Sequence, residues 1–313
     1  MSALFSRSRR AGRVAVTCAV ALAAACAGAS VGGSSGGAVA TAPRATIASA
    51  PKSDWIQLFN GKDLSDWDIK FAKHTLGDNY NDTFRVEDGL LKVRYDKWTA
   101  FNGEFGHIFY KRPFRYYLVA AEYRFVGGQV TGAGPSLAWA KRNNGIMING
   151  QSAQSMGLDQ DFPISLEVQL LGGLSDGKPR STANLCTPGT NVHFGDSLVT
   201  RHCINSTSKT YDGDQWVLAE TLVLGDSIVK HIINHDTVLV YTHPRQAAGA
   251  VTGFEPAQLT EGKLLSSGFI ALQAEGHPVD FRNVRLLNLE GCTDPKAANY
   301  KRYYVKSNPA ACR

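Results

Sequence analysis

The stretch Ser165–Leu171, SLEVQLL, alternates apolar and polar side chains as a β-strand with one buried face does. Alternate residues of a strand share a face, so the three aliphatic residues lie on one side and Glu167 and Gln169 lie on the other. The aliphatic set predicts burial between two sheets. The polar pair then belongs to an outer face, which is either a ligand site or an ordinary solvated strand surface.

Similar short segments, rich in β-branched and aromatic residues, recur after Trp55: LKVRY, YLVAAEYRFV, WVLAETLVL, SIVKHII, TVLVYT, GFIALQA and VDFRNVRLLNL. Pairs that favour tight turns separate them: Asn60–Gly61, Asp88–Gly89, Asn102–Gly103, Asn144–Gly145, Asn149–Gly150, Asp176–Gly177 and Asp212–Gly213. Many short strands without intervening helices predict an all-β protein, an antiparallel β-sandwich that forms one domain over residues 52–290.

The N-terminus is typical of an export signal. Four arginines precede an apolar run from Val14 to Ala25 that is too short to span a bilayer comfortably, so residues 1–25 are predicted to be a signal peptide. The sequence LAAACAGAS resembles a bacterial lipobox, in which Cys26 would be acylated, and cleavage to a secreted protein is the alternative. Residues 26–51, rich in Gly, Ser and Ala, are predicted to be a flexible tether.

These features predict a protein of the bacterial periplasm or cell envelope that meets the membrane only through a lipid anchor. The net charge of the whole chain is +6, but without residues 1–25 the chain has 29 basic and 27 acidic residues. Electrostatics therefore gives no reason to expect a nucleic-acid partner.

Beyond Cys26 the chain has four more cysteines, and an even number in an exported chain favours disulfides over metal ligation. Three pairings are open. The favoured one joins neighbours, Cys186 with Cys203 and Cys292 with Cys312, so that residues 291–313 form a disulfide-closed tail. No CxxC or spaced His/Cys cluster predicts zinc.

Other predicted strands also place polar residues on one face. Glu122 and Arg124 share a face, as do Gln273 and Glu275, and His231 interrupts an otherwise apolar face. If these strands are neighbours, the combined surface suits a sugar, which needs many directional hydrogen bonds. The alternatives are solvated faces with cross-strand ion pairs and, for His231, a core histidine with satisfied hydrogen bonds. Three further histidines are expected at the surface: His107, His193 and His202.

The common nucleophile motifs are absent: there is no G-x-S-x-G, no Walker loop and no H-E-x-x-H. The E-x-D-x-E strand of laminarinase-type glycosidases is also missing, because Gln169 stands at the position of its aspartate. A retaining glycosidase needs two carboxyl groups about 5–5.5 Å apart, and this strand supplies only one.

Seven blocks of the chain, in order, resemble the 3-keto-disaccharide hydrolase domain family: WIQLFNGKDLSDWDIK (Trp55–Lys70), FRVEDGLLKV (Phe84–Val93), FGHIFYKRPFRYYLVAAEYRF (Phe105–Phe125), NNGIMI (Asn143–Ile148), ISLEVQLLG (Ile164–Gly172), VKHIIN (Val229–Asn234) and GFIALQAEGHPVDFRNVRL (Gly268–Leu286). The resemblance covers residues 54–289. It implies a concanavalin A-like jelly roll that acts on glycosides already oxidised at C3. A C3 ketone acidifies the C2 proton, so a base can remove it and the C1 substituent can leave, after which water adds to the enone.

The resemblance also implies roles for individual residues. The E-x-Q strand of the family falls on Glu167, as acid or base, and on Gln169. The H-x-x-N segment falls on His231, as second proton-transfer group or metal ligand. Gln169, Gln273 and Arg124 would then bind sugar hydroxyls or the enolate. Glu122, which shares a face with Arg124, is also expected to bind the substrate.

One departure from the family pattern concerns the H-x-x-N segment. The family usually has glycine after the asparagine, whereas this chain has His235, which puts the tight turn in question. A divalent ion would stabilise an enolate, but no ligand spacing predicts one. Two other functions stay open, a non-catalytic lectin-like module and an endo-glucanase that acts on unoxidised glucan.

Overall fold

The computed structural model describes residue 47 and residues 49–130, 132–133 and 135–313. The predicted signal peptide, Cys26 and most of the predicted tether lie outside the described residues. The end of that tether is described: Ile47 is 6% exposed and belongs to an apolar cluster with Leu118 and Ile232. The chain therefore packs against the domain several residues before Lys52.

The described residues form nineteen strands: β1 (Trp55–Gln57), β2 (Trp67–Phe71), β3 (Phe84–Glu87), β4 (Leu90–Val93), β5 (Gly106–Tyr110), β6 (Tyr116–Phe125), β7 (Asn143–Gly150), β8 (Leu166–Leu171), β9 (Asn184–Cys186), β10 (Thr190–Phe194), β11 (Ser197–Val199), β12 (Cys203–Ile204), β13 (Val217–Leu224), β14 (Ile228–Ile233), β15 (Asp236–Gln246), β16 (Phe269–Ala274), β17 (Val279–Asn288), β18 (Glu290–Gly291) and β19 (Lys306–Ser307). Their helices are short 3-10 turns: Lys52–Asp54, Tyr80–Asp82, Pro135–Ala140, Ala153–Ser155, Pro256–Gln258 and Pro309–Ala311. None of these described helices has the length and hydrophobicity needed to cross a membrane.

Two antiparallel sheets contain most of the strands. Sheet A has the order β11-β10-β15-β14-β13-β6-β17-β4-β3, with β1 also paired to β17. Sheet B has the order β12-β9-β8-β7-β16-β5-β2. The prediction of an all-β protein built as an antiparallel β-sandwich is confirmed.

The core lies between the two sheets. On β8 the inward residues are Leu166, Val168 and Leu170, each 0% exposed. Facing residues such as Ala121 and Val223 of sheet A join them in one apolar cluster. Burial of each large aliphatic side chain contributes about 1.5–3 kcal/mol, so the alternation in β8 fixes which of its faces turns outward.

Two of the predicted turn pairs lie inside a strand. Asn144–Gly145 and Asn149–Gly150 both fall within β7, which pairs with β8 on one side and β16 on the other. By contrast, Asp88–Gly89 forms the expected hairpin turn between β3 and β4, with positive φ values of 56° and 71°. At Asn144–Gly145 the pairing of β7 with two strands overrides the local turn preference, whereas Asn149 keeps a positive φ of 48° next to a register shift.

The turn that follows His231 forms without the family's glycine. Asn234 and His235 connect β14 to β15 with φ values of 47° and 73°, the left-handed values that a two-residue hairpin loop needs. Asn234 Oδ1 also accepts a hydrogen bond from the backbone N–H of Leu218 at 3.1 Å. The side chain of Asn234 thus helps to hold the turn.

Both predicted disulfides are present. Cys186 pairs with Cys203, and Cys292 pairs with Cys312. The first joins β9 to β12 within sheet B, and the second closes the C-terminal tail. The tail also contacts the start of the domain, where the Tyr303 hydroxyl donates a hydrogen bond to Asp54 at 2.9 Å.

Candidate functional site

Glu167 and Gln169 project from the outer face of sheet B, away from the core between the sheets. The register pairs Glu167 with Met147 of β7 and with Cys186 of β9. Glu167 is only 5% exposed, because loops cover this face. The two polar residues of β8 therefore line a covered cleft and do not lie on a solvated surface.

Gln273 of β16 meets Glu167 above Gly145. A side-chain carbon placed on Gly145 would lie 2.6 Å from Glu167 Oε1 and 2.7 Å from Gln273 Oε1. Such separations are shorter than normal van der Waals contact, so no larger residue fits at this position without displacing one of them. The glycine gives these two side chains, from strands on either side of β7, the space to converge.

Glu275 supplies a second carboxyl group to the same cleft. It follows β16, two residues after Gln273, and is 3% exposed. β8 supplies only one carboxyl group to the cleft, as the sequence indicated, and the second comes from the segment that follows β16. The sequence indicated that Gln273 and Glu275 share a face, but the neighbour relation between β16, β7 and β8 was needed to connect Glu275 with Glu167.

Burial changes the acidity of both glutamates. It raises the pKa of Glu275 from 4.5 to about 8. It also raises the pKa of Glu167 well above 4.5, and the nearby Glu275 carboxylate adds to that effect, while Gln273 opposes it. Because neighbouring carboxylates disfavour double ionisation, the pair retains at least one proton at neutral pH.

The cleft around the two glutamates has a volume of about 380 Å³. This is within the range of about 300–1,000 Å³ that is usual for small-molecule sites. Aromatic side chains and a disulfide border it, and its lining consists of Trp139, Asn143, Phe162, Glu167, Gln169, Cys186, Pro188, His202, Cys203 and Glu275.

Several buried polar atoms in and beside this cleft have no hydrogen-bond partner among the described residues. They are Glu167 Oε1, Glu275 Oε2, Asn143 Oδ1 and both amide atoms of Gln273. A buried polar atom without a partner costs about 1–3 kcal/mol, and natural proteins rarely concentrate several at one place without a use. A polyhydroxylated ligand in the cleft would supply the missing hydrogen bonds.

His107 lies next to these unpartnered polar atoms. The sequence predicted it at the surface, and that prediction is wrong. His107 is 0% exposed on β5, where the register pairs it with Gln273 and Lys70. Neither ring nitrogen has a hydrogen-bond partner among the described residues. Burial and the Lys70 charge lower the pKa of His107 to about 3, so the imidazole is neutral. The alternation in GHIFY was the available signal for an inward or cleft-facing histidine.

His231 does not join the cleft. It lies on β14 of sheet A and is 0% exposed. Its Nδ1–H donates to the Ala183 carbonyl at 2.9 Å, and Nε2 accepts from the Tyr241 hydroxyl at 3.0 Å. Burial lowers the pKa of His231 to about 4. The structure thus corrects the placement of His231 beside Glu167, since it is a core histidine with both nitrogens satisfied.

Glu122 and Arg124 are also absent from the cleft. Both belong to β6 of sheet A. Glu122 accepts hydrogen bonds from Arg282 at 2.6 and 2.8 Å, and Arg124 donates to Asp280 at 2.9 Å. Because Trp216 stacks with both arginines, this surface is a cross-strand ionic cluster, and the substrate-binding role expected for Glu122 and Arg124 is not supported by their positions.

Among the described residues, one group of potential metal ligands has all its ligand atoms within 4.8 Å of one another: Cys186, His202 and Cys203. The two sulfur atoms form a disulfide and cannot act as thiolate ligands. Glu167 and Glu275 belong to no such group. Because such groups comprise only His, Cys, Asp and Glu of the described residues, they do not decide whether a divalent ion binds in the cleft, and that ion stays a hypothesis that the sequence raised.

The model of the 3-keto-alpha-glucoside-1,2-lyase-like domain family matches residues 54–287. Two solved structures from Parabacteroides distasonis, both described as candidate glycosyl hydrolases, are similar to the chain. One is 15% identical, with coverage of 75% of this chain and 99% of that chain and a TM-score of 0.45. The other is 16% identical, with coverage of 77% and 98% and a TM-score of 0.44.

A carbohydrate-binding module from Bacillus subtilis, CBM66, is 10% identical, with coverage of 63% of this chain and 86% of that chain and a TM-score of 0.36. No curated protein matches the sequence. At these identities the similarity to solved structures concerns the fold.

Proposed function

This chain belongs to the 3-keto-alpha-glucoside-1,2-lyase-like domain family, and on that premise we propose that it cleaves 3-keto-glycosides by elimination followed by hydration. The observation that carries the proposal is the buried pair Glu167 and Glu275 in a cleft of about 380 Å³. Together they offer the base and the acid that this reaction requires.

In the proposed first step, one carboxylate of the pair removes the C2 proton, which the adjacent C3 ketone has acidified. The electrons form the C1–C2 double bond, and the C1–O bond breaks. The protonated partner gives its proton to the leaving oxygen. In the second step water adds at C1 of the enone and a proton returns to C2, so the net reaction is hydrolysis.

The remaining polar groups would bind the sugar. The Gln273 amide has no partner among the described residues and lies directly beside Glu167. Its N–H groups are suited to stabilise the negative charge that develops on the C3 oxygen. Gln169 is held by Asn184, whose Nδ2 donates to Gln169 Oε1 at 3.2 Å, so its own amide N–H groups remain available for hydroxyls.

The test uses a 3-keto-α-glucoside disaccharide and its unoxidised parent, each incubated with the protein in D₂O and followed by NMR. Elimination and hydration place deuterium at C2 of the released ketosugar faster than enolisation of the product alone does. Glu167→Gln and Glu275→Gln should each lower the rate by about 10²–10⁴-fold, the usual contribution of a general acid or base. The exposed Glu255→Gln is the matched control. Cleavage without deuterium at C2 would exclude elimination.

A second function is favoured by the same pair of glutamates. Two carboxyl groups in one cleft are also the catalytic groups of an ordinary glycosidase, whose substrate carries no ketone. The parent disaccharide and a plain β-glucan distinguish the two functions, because release of reducing ends from either would favour the glycosidase. Binding of the ketosugar with no cleavage at all would leave a lectin-like module.

We also propose that the protein is exported and anchored through Cys26. The two disulfides fit an oxidising compartment outside the cytoplasm. A Cys26→Ala change should then move the protein from the membrane fraction to the soluble fraction, and an unchanged distribution would contradict lipidation.

A further inference from the structure

The outer face of sheet A carries a second cavity, on the opposite side of the core from the cleft of sheet B. Its volume is about 470 Å³. Leu118, Leu222 and Ile232 line it, and they come from the neighbouring strands β6, β13 and β14. The residues next to two of them, Val119 and Ile233, belong to the core between the sheets, so alternation turns the lining residues outward. We call this cavity the sheet A groove.

The base of the groove is aliphatic and separate from the core between the sheets. Leu118 and Ile232, each 7% exposed, cluster with Ile47 near the start of the described chain. Leu222 and Trp55 are partly buried and pack against the same cluster. Aliphatic side chains offer no hydrogen bonds, so this base suits an alkyl chain and not a sugar, which needs directional donors and acceptors.

Positive charge prevails around this aliphatic base. The lining includes Lys52, Lys230 and Arg285, and no carboxylate of the described residues lies within 4.0 Å of these three side-chain cations. Glu220 is the acidic residue of the lining, and its Oε2 lies 3.0 Å from Nδ1 of His235. An apolar base bordered by unpaired cations is complementary to an anion that carries a hydrocarbon chain.

Arg285 is the cation best placed to bind an anion. Its guanidinium carbon lies 4.9 Å from the centre of the Trp55 ring, and this stacking orients the planar group. Its Nε is buried and has no hydrogen-bond partner among the described residues. A buried donor without a partner destabilises the protein, so an acceptor supplied by a ligand would offset that cost.

The strand order separates this cation from Lys230. Arg285 is on β17 and Lys230 is on β14, and the strands of the base, β6 and β13, lie between them. Three strand spacings of about 4.8 Å place β14 and β17 about 14 Å apart. In the register Leu118 lies opposite Leu222, and Leu222 lies opposite Lys230, so an aliphatic path crosses the groove from the side of Arg285.

We propose that the sheet A groove binds a single-chain alkyl carboxylate, a fatty-acid-like anion, with its head on Arg285 and its chain on Leu118 and Leu222. A guanidinium binds a carboxylate through two parallel hydrogen bonds, and each buried methylene group adds hydrophobic stabilisation. The inference is independent of the proposed cleavage of 3-keto-glycosides, because it concerns the other sheet.

Isothermal titration calorimetry with the disulfide-bonded protein measures the binding of octanoate, decanoate, 1-octanol and octyltrimethylammonium. Decanoate should bind about tenfold more tightly than octanoate, because two more methylene groups are buried. Octanoate should bind about tenfold more tightly than 1-octanol, and octyltrimethylammonium should bind least. The advantage of octanoate over 1-octanol should shrink in about 0.5 M sodium chloride, because salt screens the charge.

Variants of the lining assign the two parts of the ligand, and urea unfolding verifies that each variant is folded. Arg285→Gln should remove the advantage of octanoate over 1-octanol and leave the binding of 1-octanol unchanged. Lys230→Gln removes the same charge on the far side of the groove and is the matched control, so it should keep most of that advantage. Leu222→Ser should weaken the binding of octanoate and 1-octanol alike, because it interrupts the aliphatic path.

Four results would overturn the inference. Equal binding of octanoate, 1-octanol and octyltrimethylammonium would show that the cations select no head group. Equal losses in Arg285→Gln and Lys230→Gln would show a general attraction without a head-group contact at Arg285. Binding that neither Arg285→Gln nor Leu222→Ser weakens would place the chain elsewhere, such as in the cleft of sheet B. Binding of phosphatidylglycerol vesicles without binding of decanoate would assign the groove to a bilayer surface. None of these results bears on the cleavage of 3-keto-glycosides.

Discussion

Glu275→Gln should change the way in which the stability of the protein depends on pH. The folded protein buries this carboxyl group, and burial raises its pKa from 4.5 to about 8. At a pH between these two pKa values, Glu275 is protonated in the folded protein and ionised in the unfolded protein. Stability is therefore fully present below the unfolded pKa and decreases as the pH rises toward the folded pKa.

The size of the effect follows from that shift. Each pH unit between the two pKa values lowers the free energy of unfolding by about 1.4 kcal/mol for one group. Between about pH 5 and about pH 8, Glu275 alone should therefore cost the wild type on the order of 3 kcal/mol. Glutamine has the shape of the protonated side chain and carries no charge, so the variant should match the wild type near pH 5 and exceed it by that amount near pH 8.

Urea unfolding of the disulfide-bonded protein, followed by tryptophan fluorescence at several pH values, measures the difference. Glu167 remains in both proteins, and because the Glu275 carboxylate raises the pKa of Glu167, the difference between their pH profiles measures Glu275 together with its coupling to Glu167. Glu255→Gln, at an exposed position, should follow the wild-type profile. If the Glu275→Gln and wild-type profiles are parallel across this range, Glu275 is not a buried neutral acid and the acid–base pair is misassigned.

Three further changes separate the site from its scaffold. Gly145→Ala would place a carbon 2.6 Å from Glu167 Oε1 and should reduce turnover at least about 10²-fold. Gly128→Ala is the control, because the added carbon would have no atom within 4 Å, and it should leave turnover unchanged. Equal turnover in both variants would contradict the arrangement of Glu167 and Gln273 above Gly145. His231→Leu leaves the Ala183 carbonyl and the Tyr241 hydroxyl without their hydrogen-bond partner, so it should lower the free energy of unfolding, measured in urea, by about 2 kcal/mol or more. The turnover of the folded enzyme should persist. A loss of turnover without a loss of stability would show that His231 belongs to the site. Replacing Cys186 and Cys203 by serine opens a link between residues 17 positions apart and should lower stability by about 3 kcal/mol in the same assay, and no change would show that the disulfide carries little of the fold.

Periodicity identified the strands because side-chain alternation is a local property of an extended chain. In SLEVQLL it assigned Val168 to the core and Glu167 to the opposite face, as the structure confirms. It also placed Gln273 and Glu275 on one face of their segment. Local propensity failed at Asn144–Gly145, where pairing on both sides keeps the chain extended in β7.

The alternation pattern of a single strand did not show which strands lie beside it, and so it did not show which polar residues come together. Glu122 and His231 occupy strands that look like β8 and β16 in sequence, yet both belong to sheet A. Glu122 pairs with Arg282 at the surface, and His231 is hydrogen-bonded in the core. Glu167 and Glu275 are far apart in sequence, and the strand order of sheet B brings them into one cleft. Strand order depends on long-range pairing, which alternation does not encode.

The sequence by itself determined the all-β class, the inward and outward faces of β8 and, through resemblance, the family. It favoured the pairing of neighbouring cysteines without excluding the other two pairings. The tertiary structure alone decided that Glu275 lies in the same cleft as Glu167, that Gly145 leaves room for Glu167 and Gln273 to converge, and that His231 belongs to the core. The physical reason is that the alternation of apolar and polar residues, which decides the buried face of a strand, is a local property of the sequence. A raised pKa or a buried polar atom without a partner arises only when strands distant in sequence come together and exclude water.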